Sequence, residues 1–289
     1  MMATDIISPN SFMKEPEPEQ TRLPEENIGF FVKNPAMAEV LRKKNINFFF
    51  PIQYKSYESI YTECDLIGRD RTGSGKTLAY SLPIIERFRH NDLFRNDYIK
   101  YLIILPTREL CIQVTNEIES LKISSKEFTV ISVYGGVEVR KHTDLLKRKV
   151  DIIVATPGRL LDLLDRGCVD FQGIECLCLD EADEMLKMGF QQDVEKIYYH
   201  VNKVAYKKPQ SLLFSATVPI WVERIASRFM NKQKKLIDLI KDAEIKTSKT
   251  ISHCSMNMKY KDIVPLMKDI VNVYCGRNGR CIIFCERKD

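Results

Sequence analysis

The chain has 289 residues, 44% of them hydrophobic and 29% charged, a balance that argues against a disordered chain and supplies apolar material for one α/β domain and a remainder. The longest apolar runs are strand-sized, far short of a bilayer span, and a net charge of +5 would suit a polyanionic partner without identifying one. Nine cysteines form an odd set without C-x-x-C spacing and the start lacks a charged-then-apolar leader, so a reducing compartment and buried thiols are expected.

From residue 1 to 27 the chain is polar and acidic, with Glu15-Pro16-Glu17-Pro18-Glu19, and its low apolar content predicts a disordered tail. A domain over 28–240 follows, in which short apolar runs alternate with amphipathic stretches: Leu66-Ile67, Tyr101 to Leu105, Thr129 to Tyr134, Asp151 to Ala155, Cys176 to Leu179 and Ser211 to Phe214. Continuous apolar runs indicate strands covered on both faces, and the spacing between them leaves room for helical crossovers. The expectation is an α/β fold with a parallel, doubly wound sheet whose ligands gather beyond the carboxyl ends of the strands. Cys176 and Cys178 alternate on one such strand and read as core. His90, His142, His200 and His253 are scattered and suggest no site.

Residues 241–250 turn charged and hydroxyl-rich, which marks a linker. Strand-like Ile251 to Met258, an amphipathic stretch to about Tyr274 and strand-like Cys281 to Cys285 follow. So little material supplies no core of its own, and 251–289 is expected to be an incomplete second domain.

Thr72-Gly73-Ser74-Gly75-Lys76-Thr77 follows one apolar run and precedes an expected helix over Leu78 to Arg87. Glycines let backbone N–H groups turn inward around phosphates, the helix start adds a positive end, Lys76 neutralises terminal phosphates and the Thr77 hydroxyl can ligate Mg²⁺. These features imply a P-loop for a nucleoside triphosphate. The first small residue of the G-x-x-x-x-G-K-T pattern is replaced by Asp70, with Arg69 and Arg71 beside it. A carboxylate there should repel phosphate unless it points outward or pairs with one of those arginines.

Downstream, the run from Cys176 to Leu179 ends in Asp180-Glu181-Ala182-Asp183. Adjacent carboxylates at a strand tip beside a P-loop suit a Mg²⁺ group, assigned to Asp180, and a base for an attacking water, assigned to Glu181. Ser215-Ala216-Thr217 closes another apolar run, where the Ser215 and Thr217 hydroxyls are placed to bond Asp183.

In this order the segments resemble the DEAD-box family of ATP-dependent RNA helicases, from about Ile28 to the last residue. The resemblance implies two RecA-like P-loop domains, the second incomplete here, with ATP and Mg²⁺ as cofactors. Phe50-Pro51-Ile52-Gln53 resembles the family's Q motif, whose glutamine recognises adenine, an edge that an amide can both donate to and accept from. An upstream aromatic stacks on the base in that family, and Phe30 or Phe31 would serve. Arg71 falls among the nucleotide-loop residues.

Pro106-Thr107-Arg108, Gly135-Gly136 and Thr156-Pro157-Gly158-Arg159 resemble the family's RNA-backbone motifs, which offer N–H groups and arginine charge to phosphates and read shape more than sequence. Phe48 to Gln53, Phe214 to Val222 and Gly279 to Glu286 are similar to the nucleolar RNA helicase II (Gu) group, which implies ribosomal RNA processing in the nucleolus. The chain stops near the family's motif IV, so unwinding and fast turnover would require a second domain. A non-catalytic RNA- or protein-binding fragment is the alternative. A P-loop GTPase or small-molecule kinase explains neither Gln53 nor the Asp-Glu-Ala-Asp strand tip.

Overall fold

Strands form where apolar runs are long enough to be covered on both faces. In the computed structural model, which describes residues 26–95, 97–240, 256, 263–275 and 279–284, the six expected runs become β1 (Leu66–Arg69), β2 (Tyr101–Ile104), β3 (Val130–Val133), β4 (Ile152–Ala155), β5 (Cys176–Asp180) and β6 (Gln210–Ser215). A seventh strand, β7 (Lys235–Asp238), was not expected: it is short, flanked by polar residues and exposed over half its length. The sheet order is β3-β4-β2-β5-β6-β1-β7, and every pairing is parallel.

Helices cover both faces. On one side lie α1 (Ile28–Phe31), α2 (Pro35–Lys43), α3 (Pro51–Tyr61), α4 (Lys76–His90) and α5 (Arg108–Glu119), which contribute Met37, Ile60, Tyr80, Phe88 and Ile118 to one core. On the other lie α7 (Pro157–Asp165), α8 (Ala182–Lys187), α9 (Gln191–Val204) and α10 (Ile220–Phe229), with Leu160, Met185, Ile197 and Val222 in a second core. β5 divides between the two, since Cys176 and Cys178 enter the first and Leu177 and Leu179 the second. The period of two along a strand produces that split, and both thiols are free and buried, as expected. α6 (Val139–Leu146) follows β3 and carries a single buried residue, His142.

The helix after the P-loop is longer than expected, because Lys76 itself opens it and Arg87, Arg89 and His90 occupy its last turn, where cations oppose the helix dipole. Pro83 inside α4 removes an N–H that would have bonded Ala79. The Ser56 hydroxyl of α3 lies 3.5 Å from that freed carbonyl.

Of the stretch expected to be a disordered tail, only Glu26 and Asn27 are described. Both belong to the fold: Phe49 N–H donates to Glu26 O at 2.7 Å, and Asn27 caps α1 through its side chain. Residues 1–25 and the linker 241–250 lie outside the described residues, as does Ile251 to Met258 apart from Met256. Beyond the sheet unit, α11 (Ile263–Cys275) belongs to a separate unit. Cys281 to Phe284, expected as the start of a strand, is in no strand. Ile282 and Phe284 are 80% and 92% exposed, and among the described residues no strand pairs with this segment, so nothing there favours a sheet over a hydrated chain.

Candidate functional site

β5, β6 and β1 are neighbours in the sheet, and their carboxyl ends carry Asp180 to Asp183, Ser215 to Thr217, and the loop from Asp70 to Gly75. β3, β4 and β2 form the other half, and their ends carry Gly135-Gly136, Thr156 to Arg159 and Pro106 to Arg108. The topology thus sorts the expected residues into two adjoining groups along one edge of the sheet.

In the first group, Gly73 and Gly75 take φ of 79° and 82°, the left-handed region where glycine is favoured. Gly75 is needed for space too, since a Cβ there would lie 2.3 Å from Gln53 Nε2 and 3.0 Å from Phe50 Cδ2. Gln53 Nε2 donates to Gly75 O at 3.0 Å, and Gln53 Oε1 accepts from Phe50 N–H at 2.8 Å. The amide therefore ties the first turn of α3 to the loop and keeps one N–H and one lone pair for another partner.

Lys76 is buried at the mouth of the loop. Its ammonium donates to Asp70 O and Arg71 O, each at 3.2 Å, and lies 3.3 Å from Glu181 Oε1. Asp70 is buried as well, with Oδ1 accepting from Arg71 N–H at 2.8 Å. Arg69, one of its expected partners, instead pairs with Asp238 at 3.1 Å and donates to Ala216 O at 3.3 Å. The loop carboxylate is thus turned onto the backbone of its own loop. Ser74 closes the turn by donating from Oγ to Arg71 O at 2.8 Å, while Thr72 is exposed and Thr77 half-buried on the first turn of α4.

Asp180 closes β5, and burial pushes its carboxyl up to about 7, reinforced by the Glu181 charge and opposed by Lys76. Glu181 sits at φ 53°, a strained position for a non-glycine residue that re-aims the chain from strand into α8. Asp183 Oδ1 accepts from Ser215 Oγ at 2.8 Å, and Asp183 Oδ2 accepts from Thr217 Oγ1 at 3.0 Å and Thr217 N–H at 3.2 Å. Burial pulls its carboxyl upward, but the bonds from Ser215 and Thr217 outweigh burial and leave it below the usual range. Both hydroxyls meet Asp183, as expected from the sequence.

Sequence reasoning missed two residues here. The buried Tyr80 hydroxyl sits beside Thr77 and Asp180 and makes no hydrogen bond of normal geometry. Its signal was available, because a residue four positions after Lys76 shares a helix face with it. Phe50 is 58% exposed and borders Gly75. Phe30, by contrast, packs edge-on against Phe31 at 5.1 Å, with Lys33 Nζ 5.9 Å from its ring centroid, and Phe31 leans on Phe49 and Tyr57. A loop turned by two left-handed glycines, a buried ammonium, a half-buried hydroxyl and a buried phenol form a donor set that fits a triphosphate, with the Thr77 hydroxyl and Asp180 oxygens within the same site for a divalent cation. Among the described residues, no cluster of three His, Cys, Asp or Glu side chains holds a metal unaided.

In the second group, Thr107 caps α5 by accepting from Leu110 N–H at 3.3 Å. Arg108 stacks 4.9 Å above the Tyr134 ring. Gly135, Gly136 and Gly158 are exposed, Thr156 and Pro157 buried. Nothing within 4 Å would meet a Cβ at Gly135 or Gly158, so the protein's own packing does not require glycine at either. Arg159 was expected to offer its charge to phosphate, yet its guanidinium is engaged internally: Nη1 donates to His142 Nδ1 at 2.9 Å and Nη2 to Val137 O at 2.8 Å. His142, dismissed from sequence as one of four scattered histidines, therefore stands within this group.

The DEAD/DEAH box helicase family model matches residues 50–225. A DEAD-box ATP-dependent RNA helicase 7 from Spinacia oleracea is 42% identical over 92% of this chain and 39% of its own length. Nucleolar RNA helicase 2 from Rattus norvegicus is 36% identical over 95% of this chain and 36% of its own. The crystal structure of a DEAD box protein from the hyperthermophile Methanococcus jannaschii superimposes with a TM-score of 0.65 at 35% identity, covering 73% of this chain and 55% of that one. This chain spans less than two fifths of the length of nucleolar RNA helicase 2 and about that share of the spinach relative.

Proposed function

The chain belongs to the DEAD/DEAH box helicase family, and from that premise we propose that it is the ATP- and RNA-backbone-binding half of an ATP-dependent RNA helicase. One observation carries the reading: the Lys76 ammonium and the Glu181 carboxylate meet at 3.3 Å, so the phosphate-loop lysine and the strand-tip acid face one point from two strands. Thr72 to Thr77 would wrap the phosphates with backbone N–H groups, and Gln53 would use its remaining N–H and lone pair on adenine. Phe30 or the exposed Phe50 would supply the aromatic wall against the base. Magnesium, held by the Thr77 hydroxyl and Asp180, would neutralise charge on the phosphates and offset the burial that raises the Asp180 carboxyl.

To meet a phosphate Lys76 would leave Asp70 O, Arg71 O and the Glu181 carboxylate, and the loss of that last contact would free Glu181 to accept a proton from water. Asp183, fixed by Ser215 and Thr217, would couple the ends of β5 and β6 so that a change at Glu181 reaches the rest of the edge. Pro106 to Arg108, Gly135-Gly136 and Thr156 to Arg159 would line a track for RNA backbone. The lack of any internal need for glycine at Gly135 and Gly158 supports close approach of another molecule there.

The name of the rat relative, a nucleolar RNA helicase, supports the nucleolus as the setting, where ribosomal RNA would be the substrate. Fast turnover would call for a second RecA-like domain to complete the site. Calorimetry with ATP and Mg²⁺ tests the reading: the unmodified chain should bind and Lys76→Ala should weaken binding by about tenfold or more, the worth of a charge-assisted contact. Absence of binding to the folded, unmodified chain would sink it.

A further inference from the structure

The two exposed glycine turns of the second group are joined by a contact that none of the motifs accounts for. Arg159 leaves the first turn of α7, donates from Nη2 to Val137 O just past Gly135-Gly136, and donates from Nη1 to His142 Nδ1 on α6. A guanidinium has donors only and does not lose its proton, so Nδ1 accepts only as a lone pair, with the ring neutral and its hydrogen on Nε2. His142 is buried, and its ring stands edge-on to Tyr134 at 5.7 Å. Arg108 stacks on the same Tyr134 ring, 4.9 Å from its centroid. One chain of contacts thus runs from Arg108 through Tyr134 and His142 to Arg159.

We propose that His142 is a positioning residue of the RNA track: as a neutral acceptor it fixes Arg159, which locks the Gly135-Gly136 turn to the start of α7 so that both meet one RNA strand in register. The inference rests on the reading of these turns as RNA-backbone contacts, and it assigns Arg159 to the brace rather than to a phosphate.

The brace is sensitive to pH. The titratable and charged groups on the elements packed here are Arg159 from α7, held 3.8 Å from Asp162, Tyr134 just after β3 with Arg108 on its ring, and, on the same helix as His142, Lys141 and the Arg140–Asp144 pair at 3.8 Å. Burial and then the Arg159 charge hold the imidazole below its ordinary value of 6.5. A depressed value in the folded protein means that the contact is present above 6.5 and is lost as pH falls through the lower, folded value. Protonation removes the lone pair and sets two cations against each other.

The test is fluorescence anisotropy of a labelled oligouridine with the intact chain from about pH 5 to about pH 8 at fixed salt, since phosphate contacts respond to ionic strength. The unmodified chain should lose about tenfold in affinity on acidification, the worth of one charge-assisted hydrogen bond. His142→Asn, whose amide oxygen falls near the place of Nδ1, restores an acceptor that does not titrate, so its affinity should no longer respond to pH. His142→Phe keeps the ring against Tyr134 without the acceptor and should bind about tenfold more weakly at every pH. Thermal melts separate loss of the brace from loss of the fold, and the Asn variant decides the matter if the Phe variant unfolds. Full affinity in a folded His142→Phe, alongside weakened binding in Arg108→Ala, would overturn the brace and leave the RNA reading standing. Affinity that rises on acidification in the unmodified chain but not in His142→Asn overturns it too, because a protonated imidazole would then be a phosphate contact. No RNA binding by the unmodified chain at any pH overturns both.

Discussion

At the nucleotide loop, a single substitution in the pattern changes what the backbone can offer. Asp70 stands where the P-loop pattern has a small residue, and its Oδ1 occupies the Arg71 N–H at 2.8 Å, a donor at the entry to the loop. A buried carboxylate repels phosphate and competes for that N–H. Asp70→Ala should therefore tighten ATP affinity severalfold, by an amount comparable to one hydrogen bond of about 1 kcal/mol. Calorimetry on the two proteins decides it, and equal or weaker binding by the variant would mean that the carboxylate helps to shape the loop. Lys76, Asp180 and Asp183 were legible in the sequence because each stands where an apolar run breaks into small or charged residues. His142 was not, because a buried histidine in a short amphipathic helix leaves no periodic trace. Its role appears only when α6 and α7, brought together by β3 and β4, set Nδ1 against Arg159.

Among elements, β7 shows why the sheet was only partly legible. Six strands announced themselves as unbroken apolar runs buried on both faces, whereas Lys235–Asp238 has one buried residue, Ile237, too little for any period to show. Its place is set from outside by Asp65, just before β1, whose backbone oxygen accepts from Lys235 N–H at 2.8 Å. The Asp65 carboxylate accepts from Ser211 N–H at 2.8 Å and Asn231 N–H at 2.6 Å, holding the entries to β6 and β7 beside that to β1. Truncation would leave the buried Ser211 N–H unmet, a loss of about 1 to 3 kcal/mol, and would also remove the bond to the N–H of the exposed Asn231. Asp65→Ala should thus cost about 3 kcal/mol, and Asp65→Asn, which keeps one acceptor, about half that. Urea unfolding checks both: a lower midpoint with unchanged slope is the expected signature, and a midpoint equal to the parent's would show that water satisfies those donors. Since β1 and β6 carry the P-loop and Ser215, the variant should also loosen nucleotide binding.

Across the whole molecule, burial separates the sheet unit from α11. Every residue of β2, β4, β5 and β6 is buried, and such strands open only when the domain unfolds. α11 is an apolar helix of 13 residues without one buried side chain, and Val264 and Tyr274 are 78% and 64% exposed. A helix of that length in water is marginal unless a packed face supports it. Hydrogen exchange on the intact chain should therefore show β2, β4, β5 and β6 amides protected to the full unfolding free energy, while those of Ile263–Cys275 exchange orders of magnitude faster. Protection in α11 equal to that in β5 would mean that its apolar side chains are covered in solution. Raising protein concentration should leave the α11 rates unchanged, because protection that grew with concentration would identify the cover as a second copy of the chain.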